Sequence, residues 1–92
     1  MGFAALPGAD LIARGLEDLA SGRRSAPALL VAIGAPRLRE LGVEVPTHPF
    51  SCPERALYEL LAEDGNDAAH SRYNALIRRL VSFERSLSCA AR

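Results

Sequence analysis

Apolar side chains recur along the last third of this chain in steps of four and three residues: Ala69, Tyr73, Leu76, Leu80, Phe83, Leu87 and Ala90. That rhythm places all seven on one side of a helix, and Ile77 widens the stripe. Arg72, Arg78, Arg79, Arg85 and Arg92 fall elsewhere on its surface. The pattern predicts one long helix from Asp67 to Arg92.

The preceding segments carry shorter versions of the same signal. Ile12, Leu16 and Leu19, with Leu11 beside them, predict a helix over Leu11–Ala20, with Asp10 as its N-cap and Gly22 just past its end. Gly15 in its interior costs up to about 1 kcal/mol relative to alanine, and fits a close helix crossing or no role at all. Residues 1–8, interrupted by Pro7-Gly8, read as an irregular arm whose Phe3 and Leu6 are candidates for tucking onto the core. Ser25 predicts a second helix cap with Pro27 in the first turn, where the missing N–H is harmless. The run Ala28–Ile33 is apolar on every side, so this helix is expected to be the most buried in the domain or to lie in a subunit contact. A buried strand would also suit the run, but no second strand exists to pair with it.

Gly34-Ala35-Pro36 predicts a break, followed by a short third helix over Pro36–Leu41 that Gly42 closes. From Val43 to Pro53 the chain holds three of its 6 prolines. Residues 43–52 therefore read as an extended linker crossing inside the domain, with Val43, Val45 and Phe50 as anchors. Ser51-Cys52-Pro53-Glu54 matches a capping box. The helix it opens runs to about Glu63 on a core face of Leu57, Leu60 and Leu61. After Asp64-Gly65, either Asn66 or Asp67 is expected to cap the long helix. The expected fold is all-α: a compact bundle of four to five helices in a single domain over residues 1–92, with the long C-terminal helix packed antiparallel on the short helix before it.

Composition narrows the function classes. With 92 residues the core is small, and 49% hydrophobic content is too apolar for a disordered chain. Surplus apolar surface on so small a domain suggests completion in an oligomer. Net charge is zero, so the chain as a whole exerts no long-range pull on nucleic acid or anionic membrane. The charge is unevenly spread, however. Residues 54–67 hold five acids against Arg55, a net of −4, while residues 68–92 hold five arginines against Glu84, a net of +4. An antiparallel pairing predicts Glu59 near Arg72 and Glu54 near Arg79, in contacts of about 0–1 kcal/mol each. All basic residues are arginine, which coding bias explains more simply than anion recognition does.

Chemistry-bearing residues are few. Asp67, His70 and Asn74 share a helix face, and with Arg72 they form the densest polar cluster. Near a helix N-terminus, His70, Arg72 and Asn74 are the candidate residues for a small anionic ligand. A wet first helical turn explains the same residues without a ligand. His48 is a lone linker histidine, and Cys52 sits at a helix start, where a capping role is more economical than a reactive thiol. Two histidines without ligand spacing point to no metal, and no cofactor fingerprint, phosphate loop or hydrolase elbow occurs. Arg37 and Arg39 lie on a short third helix, too short for the second helix of a helix-turn-helix and preceded by one too apolar to cross a phosphate backbone, and Arg78, Arg79 and Arg85 lack interleaved aromatics for base stacking. The start of the chain lacks the basic residues and long apolar core of a signal peptide, and no run spans a bilayer, so a cytoplasmic protein with reduced thiols and no membrane attachment is expected. The functional expectation is a non-enzymatic protein–protein interaction module that forms a homodimer, through the Ala28–Ile33 helix or the C-terminal helix, or that binds another protein. The alternatives are an arginine-dependent nucleic-acid or regulatory binder, with nucleic acid the less favoured partner, and an anionic-ligand protein with its site near His70.

Overall fold

Pro7 and Gly8 turn the chain into α1 (Ala9–Ala20), and Gly8 rather than Asp10 is the N-cap. At φ 79 Gly8 adopts a left-handed conformation, and the Ile12 N–H donates to its carbonyl at 3.0 Å. Helical bonding thus begins before Asp10, which lies in the first turn where its carboxylate answers the positive end of the helix dipole. The far end closes on Gly22, also left-handed at φ 77. The Gly22 N–H donates to Leu19 O at 3.1 Å and the Arg23 N–H to Asp18 O at 2.8 Å, the paired bonds of a Schellman ending.

The molecule, a computed structural model, is described at residues 6–63 and 65–90, with the Asn66 side chain also left aside. Phe3, Asp64 and Arg92, to which the sequence pattern gave roles, lie outside the described residues.

Ser25 caps α2 (Ala26–Glu40) as its position predicts: its Oγ accepts from the Ala28 N–H at 3.2 Å. The same hydroxyl donates to Asp18 Oδ2 at 2.6 Å, tying the end of α1 to the start of α2. The expected break at Gly34-Ala35-Pro36 does not occur. One helix runs through all three residues, and the separate helix over Pro36–Leu41 is its last part. Two packing facts offset the local cost of glycine and proline. Ala35 and Leu38 continue the buried face begun by Ala28 and Val31. Gly34 presents a bare Cα to α4, where a Cβ would stand 2.9 Å from Leu80 Cδ1 and 3.1 Å from Glu84 Oε2. α2 ends in a second Schellman pairing, with Gly42 N–H to Arg39 O at 3.1 Å and Val43 N–H to Leu38 O at 2.9 Å.

From Val43 to Cys52 the chain has no helix or strand. The Arg39 guanidinium holds it in place, donating from Nη2 to Val45 O at 3.1 Å and Pro46 O at 3.4 Å. The α3 helix (Pro53–Ala62) is capped by Cys52, one residue later than the capping box requires, and no side chain satisfies its first N–H groups. Pro53 at the first helical position sets that register, since its fixed φ and missing N–H suit this site. Neither Ser51 nor the Cys52 thiol therefore acts as a cap. The last element, α4 (Asn66–Ala90), begins at Asn66, so Asn66 and Asp67 lie inside the first turn.

Among the described residues there are four helices and no strand. A single core takes side chains from every helix, including Ile12, Leu29, Leu30, Val31, Leu38, Leu57, Leu80 and Phe83. The α2 helix touches α1, α3 and α4, and α3 also packs on α4. Ala28 through Ala32 are consequently all buried. Six of the seven predicted seam residues of α4 pack on the core, while Ala90 is exposed. No helix among the described residues is long and apolar enough to cross a membrane.

Candidate functional site

The three residues expected to hold an anion lie on the exposed surface of the first turns of α4. Asn74 Nδ2 stands 3.1 Å from His70 Nε2, so the amide donates and the ring accepts in the tautomer that leaves Nε2 bare. Arg72, two residues from His70, projects about 200° around the helix from it. His70 and Arg72 are exposed and Asn74 is half-buried. The structure thus brings His70 and Asn74 together and directs Arg72 elsewhere. None of the four surface grooves described below takes in any of the three.

Those grooves lie on other parts of the surface. The largest, about 450 Å³, is lined by Arg37 from α2 and by Val81, Glu84, Arg85, Ser88 and Cys89 from α4. Residues three, four and seven apart on one helix share a face, so Val81, Glu84, Arg85 and Ser88 form one continuous wall. Its acid is distinctive. Burial against Gly34 and Leu80 raises the Glu84 carboxyl above the ordinary glutamate value, and the nearby Arg37 guanidinium partly offsets the rise. Arg37 itself pairs with Glu40 at 3.2 Å.

A second groove of about 390 Å³ lies where α1 meets α4, lined by Asp10, Leu11, Arg14, Pro27 and Arg79. Here Arg79 Nη2 reaches Asp10 Oδ1 at 3.6 Å. The expected Glu54–Arg79 pair does not form. The carboxylate of Glu54 lies beside Tyr73 instead, where with burial as the larger cause it raises the phenol above its ordinary value. A small groove of about 180 Å³ adjoins it, between Pro7-Gly8 and Arg78, Arg79 and Ser82.

The linker contributes the fourth groove, about 260 Å³, from Pro49 to Cys52 with Arg55, Ala56 and Glu59. His48 stacks on Phe50 with ring centroids 5.6 Å apart, and its Nδ1 accepts the Phe50 N–H at 3.3 Å. That bond assigns the lone linker histidine a structural task. Cys52 and Cys89 are both exposed free thiols. The described residues hold no cluster of three or more histidine, cysteine or acidic side chains able to grip a metal, and no buried polar or charged residue.

Two residues that the sequence pattern did not single out are conspicuous in three dimensions. Tyr58 and Val81 are the large apolar side chains left exposed among the described residues, at 38% and 37%. Tyr58 also leans on Tyr73 of α4, ring centroids 5.8 Å apart. A valine on the arginine-rich side of α4, off the seam, was the available signal. No protein-family model, curated protein or solved structure matches this chain.

Proposed function

We propose that this protein is a non-enzymatic helical interaction module that self-associates as a homodimer through the outer face of α4. Of the two segments that suggested such a role, Ala28–Ile33 is spent on the core, with Ala28–Ala32 buried and Ile33 partly so, on a helix that packs against α1, α3 and α4. The observation that carries the reading is the wall of the α2–α4 groove. Val81 stands exposed there between Arg78 and Arg85. Charged side chains around an apolar centre are the usual plan of a protein-binding patch. An antiparallel α3–α4 hairpin belongs to the same reading, supported by the contact of Tyr58 on α3 with Tyr73 on α4. Sedimentation velocity over a micromolar concentration series tests it. A concentration-dependent shift from one mass to twice that mass is expected, and monomer throughout would refute it.

The anionic-ligand alternative gains one observation, at a different place. Arg78 and Arg79 flank Gly8 at the start of α1, whose first N–H groups have no side-chain cap. Arg79 is already engaged with Asp10, which leaves this reading second.

A further inference from the structure

We infer that the partner of the α4 groove is α3 of a second copy of the chain, with Tyr58 of one copy seated against Val81 of the other. The inference rests on the self-association reading and names its two surfaces. Tyr58 and Val81, the exposed large apolar side chains, lie on helices of opposite charge. Around Tyr58, α3 exposes Glu54 and Glu59, with Glu63 at its C-cap, against one arginine, Arg55. Around Val81, α4 and α2 expose Arg78, Arg85 and Arg37, with Arg37 paired to Glu40 and Glu84 half-buried among them. Three guanidiniums against the two carboxylates of Glu84 and Glu40 leave this surface net positive.

Complementary charge of this kind steers association and sets register, while an aromatic ring entering a groove supplies the anchor. Arg79 turns to Asp10 of α1, and Glu54 lies beside Tyr73. Between two copies the faces match, and two such contacts exchanged about a twofold axis close a dimer. Each copy then supplies one tyrosine and one groove.

The test is a reciprocal charge exchange read by sedimentation and light scattering. Tyr58→Arg sets a cation against the basic groove, and Val81→Glu sets an anion against the acidic helix. Each single variant is expected to weaken dimerisation by about tenfold or more. The double variant, which pairs arginine with glutamate across both contacts, is expected to recover most of the loss. Circular dichroism and melting of each variant confirm folding. If Tyr58→Arg disturbs the Tyr73 contact and unfolds, the pair Glu54→Arg and Arg85→Glu carries the same logic on exposed residues. Dimers that persist in both single variants, or losses that the double variant does not restore, would overturn this interface while leaving self-association intact. A wild-type chain that stays monomeric but binds heparin at low salt would refute both, assigning the arginine face to a polyanion.

Discussion

Gly15 of α1 rests directly on Val31 of α2. A Cβ added to Gly15 would lie 2.4 Å from Val31 Cγ2 and 2.4 Å from the Pro27 carbonyl oxygen. The glycine that helix propensity disfavours is thus the residue that lets α1 and α2 cross. Gly15→Ala gains up to about 1 kcal/mol of propensity but must displace backbone, a clash of about 1–3 kcal/mol or more. The expected net is a loss, with the melting temperature lower by several degrees. A raised melting temperature would show that the crossing is looser than this.

Pro36 makes the opposite prediction. It is exposed inside α2 and has no N–H for the Ala32 carbonyl four residues back. Pro36→Ala supplies that donor, at the cost of a more flexible unfolded chain of about 0.4–1 kcal/mol. A net gain of about 1–2 kcal/mol in urea unfolding is expected, since proline in a helix interior costs about 3 kcal/mol. No gain would mean that the helix does not run unbroken through residue 36.

Ser25 joins two helices with one hydroxyl. Ser25→Ala removes both the cap to Ala28 and the bond to Asp18, and should cost about 0.5–2 kcal/mol, toward the upper end. Ser25→Asp keeps a capping oxygen but places it beside the Asp18 carboxylate. It should therefore recover only part of the loss. Full recovery by aspartate would show that the link to Asp18 contributes nothing.

Glu84 sets a pH dependence. Its carboxyl binds protons more tightly in the fold than in the unfolded chain, because burial penalises the charged form. In the window from the ordinary glutamate value up to the raised one, the folded state holds more protons, so stability falls as pH rises. Glu84→Gln keeps the shape and removes the charge. The variant should be the more stable at neutral pH, and its advantage should vanish in acid below the ordinary glutamate value. Denaturant midpoints across pH check this, and an advantage unchanged by pH would contradict it.

Two neighbours on α4 separate core from surface. Phe83 is fully buried, whereas Val81 is exposed. Phe83→Ala should cost about 3–5 kcal/mol, a large share of a total near 5–15 kcal/mol. Val81→Ser should stay within about 0.5 kcal/mol for the isolated chain. Chemical denaturation at low protein concentration distinguishes them.

Much of this fold is written in short-range pattern. The α4 seam is readable because Leu80 and Phe83 repeat at helical spacing, and helical spacing is geometry that no neighbour can alter. Ser25-x-Pro27 reads correctly because a hydroxyl, a proline and a free helix end suffice. Gly22 and Gly42 mark helix ends because a left-handed residue there favours glycine. Gly34-Ala35-Pro36 misleads because its local cost is offset by Leu80 and Glu84, more than forty residues away in the chain. The pairing of Glu54 with Arg79 fails because exposed charges bind weakly and follow whichever partner the packing brings near, here Asp10. His70 and Asn74 meet as their spacing of four implied, whereas Arg72, two residues from His70, falls on another side of the helix.

The sequence by itself determined the helical class, most of the core-facing residues and the separation of acid on α3 from base on α4, since these depend on periodicity and composition. Only the tertiary structure decided that α2 is continuous and buried along Ala28–Ala32, that Gly15 and Gly34 are crossing points, and that Tyr58 and Val81 remain exposed. Those outcomes depend on which surfaces meet, and contacts between residues distant in the chain follow from volume and shape that no local pattern encodes.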